Sequence, residues 1–176
     1  MNILIIGPSW VGDMVMAQTL FTCLKQRHGD DCMIDVLAPD WSRPILERMP
    51  EVRQALSFPL GHGALELSTR RSIGQGLRGQ YDQAILLPNS LKSALVPFFA
   101  DIPLRTGWRG EMRYGLLNDV RKLDKDAYPL MIERFMALAY EPNTELPKPY
   151  PRPALQIDPA SREQALQHFG LERDRP

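Results

Sequence analysis

The chain has 176 residues, of which 44% are hydrophobic and 24% charged, a composition ordinary for one globular domain with its own core. Basic and acidic residues number 21 each, so the net charge of zero gives no indication of nucleic acid as a partner. The longest apolar stretches, such as residues 94–100, are too short to span a bilayer, and no charged leader precedes the first apolar run. We therefore expect a cytoplasmic protein without a signal peptide, with Cys23 and Cys32 reduced in its core.

The amino end of the chain predicts a strand, a loop and a helix. Residues 2–6 form a short apolar run with isoleucine at three of its five positions, which is typical of a strand buried on both faces of a parallel sheet. From Met14 onward apolar residues recur every three or four positions, which predicts a helix that ends at Gly29. Asp13 lies in the first turn of that helix. It therefore follows the carboxyl end of the strand, where ligands bind in open α/β sheets.

The loop between this strand and this helix matches neither common nucleotide-binding motif. Gly7 and Gly12 have the spacing of the P-loop glycines, but Asp13 replaces the lysine and would repel a phosphate. The second glycine of G-x-G-x-x-G is also missing. Asp13 is thus either a functional carboxylate or an acid stabilised by the free N–H groups of a helix N-terminus. Ser9 has the same two interpretations, as a ligand-binding residue or as a loop and capping residue.

The rest of the chain alternates strands with helices. Strands are predicted at residues 33–37, 54–58, 83–87 and 105–108, and helices at residues 41–49, 67–77, 91–99, 127–140 and 159–169. This alternation predicts an α/β fold with a Rossmann-like, doubly wound parallel sheet. The helix at residues 127–140 is expected to bury Leu130, Phe135, Leu138 and Ala139. His62, in a glycine-rich stretch, is expected to be a solvated loop histidine.

A second loop is expected at the same edge of the sheet as Asp13. It consists of Pro88, Asn89 and Ser90, and Lys92 follows in the first turn of the next helix. Free helix N–H groups beside a lysine favour an anion site. Capping of the helix by Asn89 or Ser90 explains the same residues, so both interpretations stay open.

The segment of residues 105–125 is locally basic in a neutral protein. Its six cations are Arg105, Arg109, Arg113, Arg121, Lys122 and Lys125, against the three acids Glu111, Asp119 and Asp124. Guanidinium groups bind carboxylates and phosphates in bidentate fashion, so the bias favours a multiply anionic ligand, with a solvated face as the alternative. The D-x-D triplet at residues 124–126 does not follow a strand, and we expect no metal site there.

The carboxyl part of the chain indicates a domain boundary. Prolines are concentrated between residues 142 and 159, which predicts a stiff, extended connector. We expect a Rossmann-like domain at residues 1–141, the connector at residues 142–159, and the start of a following unit at residues 160–176.

Two segments carry a family resemblance, GPSWVGDMVMAQTL and LLPNSLKSALVPFFADIPLRTGWRGEMRYGLLND. Together with the helix around Tyr128, they resemble the lipopolysaccharide heptosyltransferases. The resemblance covers essentially the whole chain, which would form the amino-terminal half of such an enzyme. It implies a GT-B architecture, in which two Rossmann-like domains face each other across a cleft. The amino-terminal domain would hold the acceptor, the lipid A-linked inner core, and the other domain would hold ADP-heptose.

The resemblance also implies a reaction and roles for residues. Heptose would pass with inversion from ADP-heptose to the inner core of lipopolysaccharide, without a metal or other cofactor, beside the cytoplasmic face of the inner membrane. Asp13 would be the general base. The acceptor-binding residues would be Ser9, Trp10, Gly12, Asn89, Ser90, Lys92, Arg105, Arg109 and Arg113. This half alone is expected to be inactive.

Two other functions stay open on the residues alone. One is a non-catalytic Rossmann-type module that binds an anionic ligand through its basic loop. The other is a nucleotide-dependent enzyme of another type.

Overall fold

Six parallel strands form one sheet at the centre of the computed structural model, which describes residues 1–59 and 65–171. The strands are β1 (Asn2–Ile6), β2 (Met33–Ala38), β3 (Val52–Ser57), β4 (Gln83–Leu86), β5 (Leu104–Trp108) and β6 (Asp119–Arg121). Their order across the sheet is β3-β2-β1-β4-β5-β6, and every neighbouring pair is parallel. This is the Rossmann strand order. It confirms the predicted doubly wound α/β fold.

Helices and short 3₁₀ turns connect the strands. The α-helices are α1 (Val11–His28), α2 (Arg43–Leu46), α3 (Leu67–Gly76), α4 (Leu95–Phe99), α5 (Met131–Met136) and α6 (Pro159–Phe169), and the 3₁₀ turns are Asp40–Ser42, Leu91–Ala94 and Ala137–Ala139. The predicted end of α1 at Gly29 is confirmed, and its φ of 76° is one that glycine adopts without strain. None of the helices in the described ranges is long and apolar enough to cross a lipid bilayer.

The central strand β1 is buried on both faces, as its unbroken apolar sequence predicts. Ile3 and Ile5 join the core formed with α1 and α5, whereas Leu4 and Ile6 join the core formed with α3 and α4. Successive side chains of a strand point to opposite faces, so one short strand supplies both layers. Cys23 and Cys32 are both buried and free, which confirms their prediction as reduced core residues.

Some predicted helices differ in their bounds because of proline. The helices predicted at residues 41–49 and 91–99 each consist of a 3₁₀ turn followed by a short α-helix. A proline is tolerated only in the first turn of an α-helix. The α-helices therefore begin one residue before Pro44 and two residues before Pro97.

One strand was not predicted, and one predicted helix has the wrong start. The sequence did not predict β6, because three residues with a charge at each end carry no apolar run. The helix predicted at residues 127–140 begins only at Met131, since Pro129 disfavours helical backbone at the residue before it and offers no N–H. Leu130, expected to be buried, therefore precedes the helix and is 51% exposed. The expectation for His62 lies outside the described residues.

The proline-rich segment predicted as a connector lies against α1 and α5. The side-chain amide of Gln18 donates to the carbonyl oxygen of Ala154 at 3.2 Å and accepts from its N–H at 2.9 Å. The hydroxyl of Tyr150 donates to the carboxylate of Glu133 at 2.7 Å. These bonds fix the path of the segment, and its role as an interdomain connector stays a prediction.

Gly74 lies where α3 packs closely on α4, so a larger side chain at this position should reduce stability. A Cβ on Gly74 would lie 2.7 Å from both Phe99 Cβ and the Val96 carbonyl oxygen, whereas a Cβ on Gly76 would meet nothing within 4 Å. We expect Gly74→Ala to lower the free energy of unfolding by about 1–3 kcal/mol through overpacking. The control Gly76→Ala should leave it unchanged or raise it by up to about 1 kcal/mol. Chemical denaturation measures both, and equal stability of the two variants would contradict the close contact.

The hydrogen bonds of Glu133 should make the stability of the fold depend on pH. Hydrogen bonds from the Tyr150 hydroxyl and, at 2.8 Å, from the Leu130 N–H hold the pKa of this carboxyl below its ordinary value. A carboxyl whose pKa is lowered in the folded state stabilises the fold above its unfolded pKa of about 4.3, and this contribution is lost as the pH falls through the folded pKa.

We therefore expect Tyr150→Phe to lower the free energy of unfolding by on the order of 1 kcal/mol at about pH 7, and by less at about pH 3. Urea denaturation at the two pH values measures the difference. Tyr114→Phe is the control, since the Tyr114 side chain is exposed and no hydrogen bond to it is found in the described ranges. A loss that is the same at both pH values would contradict the coupling to Glu133.

Candidate functional site

The loops that follow β1, β2 and β4 enclose a pocket of about 90 Å³ at the carboxyl edge of the sheet. It lies at the switch point between β1 and β4, where Rossmann-like folds bind their ligands. We call it the switch-point pocket. It is lined by Ile6, Gly7, Ser9, Leu37, Pro39, Trp41, Phe58, Arg70, Pro88, Ser90, Lys92, Ser93 and Val96. The described lining contains two cationic side chains and no acidic one, so it suits an anionic ligand.

Asp13 is the third residue of α1, and the helix is preceded by Trp10 as its N-cap. The first intrahelical bond runs from the Met14 N–H to the Trp10 carbonyl oxygen at 2.9 Å, so the N–H groups before Met14 point out of the helix. Among residues 1–59 and 65–171, no hydrogen bond or ion pair of the half-buried Asp13 carboxylate is found. The carboxylate therefore does not cap the helix. The only structural role left for this carboxylate is its favourable interaction with the dipole at the N-terminus of the helix.

The residues around Asp13 form the tip of the β1 loop. Trp10 is 74% exposed, and Gly12 is exposed with open space where a Cβ would lie. The indole N–H of Trp41 donates to the Ser9 carbonyl oxygen at 3.0 Å, which ties the loop after β2 to the loop after β1. Trp41 is not among the site residues predicted from the sequence. The only feature of the sequence that could have indicated a role for Trp41 is its position as a large aromatic residue just after a buried strand.

Arg113 holds the loop after β4. Its side chain is buried, and the guanidinium donates to the carbonyl oxygens of Pro88 and Trp108, each at 2.7 Å, and to Asn89 Oδ1 at 3.2 Å. Burial lowers the pKa of this guanidinium, and an arginine remains charged under such conditions. The structure therefore places Arg113 beneath the predicted loop, and its predicted contact with the acceptor is untested.

The segment before Arg113 also contacts the β4 loop. The Glu111 carboxylate accepts from the Leu91 N–H at 2.7 Å, at the first residue of the 3₁₀ turn. Ser90 precedes that turn without a capping bond from its side chain, so neither it nor Asn89 provides the predicted cap. A Cβ on Gly110 would lie 2.2 Å from the Asn89 carbonyl oxygen, so only glycine permits this approach.

Two of the predicted cations are available at the carboxyl edge. Lys92 is one of the residues that line the switch-point pocket, and Arg109 follows the end of β5 with an exposed side chain. Neither charged group has a hydrogen-bond or ion-pair partner in the part of the chain that the structure describes.

Arg105 lies elsewhere. It is the second residue of β5, in register with Ala84 near the amino end of β4, and its guanidinium donates to the carbonyl oxygens of Ile102 and Leu116. The structure thus brings Ser9, Ser90 and Lys92 into one pocket but does not bring Arg105 there. The predicted role of Arg105 in acceptor binding is untested, and its position does not favour it.

Arg70 is a site residue that the sequence did not reveal. It is buried in α3, donates to the carbonyl oxygens of Leu65 and Lys92 at 2.5 and 3.2 Å, and lies over the Phe58 ring at 4.9 Å. Burial lowers the pKa of its guanidinium. The spacing of Arg70 and Gly74, which is one helical turn, could have indicated that the two residues share a face of the helix. In the structure both are on its buried face.

A larger cleft of about 540 Å³ lies beyond β6, against the predicted connector. Its lining mixes Lys122 and Lys148 with Asp119, Asp124 and Glu141, and it contains none of the predicted site residues. The Asp124 carboxylate accepts from the N–H groups of Asp126 and Ala127, at 2.9 and 3.1 Å, so the D-x-D triplet forms a turn. No group of three or more potential metal ligands occurs within the described ranges.

Comparison with known proteins gives the family. The sequence model of glycosyltransferase family 9 (heptosyltransferase) matches residues 70–176. Lipopolysaccharide heptosyltransferase 2 of Salmonella typhimurium strain LT2 is 57% identical over 100% of this chain and 52% of its own length. Lipooligosaccharide heptosyltransferase 2 of Haemophilus influenzae is 56% identical over 96% of this chain and 49% of its own length.

A solved structure supports the same family. The structure of E. coli ADP-heptose LPS heptosyltransferase II matches with a TM-score of 0.89 and 52% identity, over 100% of this chain and 53% of that chain. The chain therefore spans about half the length of the curated relatives it matches. The sequence resemblance to the heptosyltransferases is confirmed, and the chain belongs to glycosyltransferase family 9.

Proposed function

We propose that this chain is the acceptor-side half of a heptosyltransferase that transfers heptose from ADP-heptose to the inner core of lipopolysaccharide, as its second heptose. The family and the names of the relatives support this proposal. One observation carries it: the Asp13 carboxylate, which has no partner among the described residues, lies at the carboxyl edge of the sheet, on the helix that follows the loop lining the switch-point pocket.

Asp13 is the general base in this proposal. A hydroxyl of the acceptor attacks the anomeric carbon of heptose, a new C–O bond forms with inversion, and the bond from that carbon to the phosphate oxygen of ADP breaks. The hydroxyl proton passes to the Asp13 carboxylate, and ADP leaves with the electron pair. A carboxylate that is not engaged in capping can accept this proton without losing a hydrogen bond.

The cationic and polar groups at the same edge bind the acceptor in this proposal. Ser9, Ser90 and Lys92 line the pocket, Trp10, Gly12 and Asn89 lie near them in the chain, and Arg109 follows the end of β5. The lipid A-linked inner core carries carboxylate and phosphate groups, which Lys92 and Arg109 can bind as ion pairs. Their charges are available because no side chain of the described protein neutralises them.

The whole protein has a GT-B architecture in this proposal. The second domain binds most of ADP-heptose and meets the leaving-group charge. This chain by itself therefore transfers no heptose. The protein works in the cytoplasm, in peripheral contact with the inner membrane where its lipid-linked acceptor resides.

The alternative of a non-catalytic module that binds an anion is less consistent with the site. Such a module has no need of a carboxylate at the same edge of the sheet as its cations, since a carboxylate repels an anionic ligand. The membership of the chain in a glycosyltransferase family also supports an enzyme.

Asp13→Asn in the longer protein that contains this chain tests the proposal. We expect kcat to fall by about 10²–10⁴-fold, because the amide cannot accept the proton. The melting temperature should change little, because the carboxylate makes no hydrogen bond to the described protein. Heptose transfer from ADP-heptose to an inner-core acceptor measures kcat, and calorimetry measures melting.

Asp40→Asn is the control, since Asp40 is an exposed acid at the start of a helical turn on the same edge, where it pairs with Arg43 at 3.9 Å. It should retain wild-type kcat. A normal kcat in Asp13→Asn, or equal losses in the two variants, would contradict the role of Asp13.

A further inference from the structure

We infer that Glu111 and Arg113 are positioning residues, which build the β4 loop (residues 88–92) and so place Ser90 and Lys92 at the switch-point pocket. This inference deepens the proposed function and rests on it for the identity of the acceptor. It assigns Arg113 a task other than the predicted contact with the acceptor.

Arg113 bridges the carboxyl ends of two neighbouring strands. Its two terminal nitrogens bond the carbonyl oxygen of Trp108, the last residue of β5, and that of Pro88, just after β4. The same nitrogens also reach Asn89 Oδ1 at 3.2 Å and Ser93 Oγ at 3.1 Å. One planar cation therefore sets the position of the β4 loop relative to β5.

The guanidinium of Arg113 is not available to a ligand. Arg113 is 2% exposed, and both of its terminal nitrogens are bonded to the protein. Its Nε is buried without a partner among the described residues. A buried charge that is held by backbone carbonyls fixes local geometry, because those carbonyls would lose their partner if it moved.

Glu111 fixes the other end of the loop. Its carboxylate accepts from the Leu91 N–H at 2.7 Å, and its own N–H donates to the Asn89 carbonyl oxygen at 3.2 Å. The carboxylate thus occupies the N-terminus of the turn that carries Lys92. A ligand anion cannot use that N–H group, but it can meet the Lys92 ammonium on the neighbouring residue.

Loss of the Glu111 cap should therefore displace Lys92 without removing it. In the longer protein, with ADP-heptose and an inner-core oligosaccharide, we expect Glu111→Ala to raise the KM for the acceptor by about 5- to 20-fold, as for one lost charged hydrogen bond. The change in kcat should be smaller. Glu111→Gln should restore most of the affinity, because its amide oxygen can accept from the same N–H.

A double-mutant cycle with Lys92 separates positioning from stability. In a Lys92→Ala background, Glu111→Ala should have little further effect on the KM, because the group that it positions is gone. Glu47→Ala, at an exposed glutamate on another element, is the control and should leave the KM unchanged. An unchanged KM in Glu111→Ala, an effect that adds fully to that of Lys92→Ala, or no rescue by glutamine would overturn the inference.

Hydrogen exchange in this chain tests the geometry independently of activity. The Leu91 amide should lose protection in Glu111→Ala and keep most of it in Glu111→Gln. Unchanged protection in Glu111→Ala would overturn the inference, whether or not the protein transfers heptose. A wild-type protein that transfers no heptose, with the expected loss of protection, would refute the proposed function alone.

Discussion

Burial of β1 on both faces is the constraint on which the rest of the structure depends. Helices cover β1 on both sides, and the side chains of residues 3–6 are accordingly all apolar. The buried polar side chains of the neighbouring strands, such as Asp35, are bonded within the protein, so groups available to a ligand lie where strands end. The strand order makes the loops after β1 and β4 diverge at the switch point, and this divergence creates the pocket. The location of the candidate site is thus a consequence of the packing of a five-residue strand.

At that edge, the charged residues divide into those that build the site and those that remain available. Arg70 and Arg113 are buried and bonded to backbone carbonyls, so their charges stabilise the loops. The charged groups of Lys92 and Arg109 have no partner within residues 1–59 and 65–171, and we propose that they bind the acceptor. A buried guanidinium depends on hydrogen bonds within the protein, because each donor left unpaired costs free energy. A charged group at the rim is hydrated and has no comparable cost before a ligand binds.

The sequence predicted the elements whose pattern is local. The apolar run of β1 and the glycine at the end of α1 determine their structure by themselves, and the position of Asp13 follows from them. The sequence alone could not distinguish Arg113 from Arg109, because the burial of Arg113 depends on contacts with Pro88 and Asn89, which are distant in sequence. Arg105 was placed in the site by its proximity in sequence, but the strand carries it to the opposite edge.

Nuclear magnetic resonance of this chain, titrated with an inner-core oligosaccharide, tests most directly whether the acceptor binds at the switch point. We expect the shifted amides to be those of residues 7–13 and residues 88–92, apart from the prolines at positions 8 and 88, with few changes near Arg105. Shifts confined to the 540 Å³ cleft beyond β6, or to the amino edge of the sheet, would contradict it.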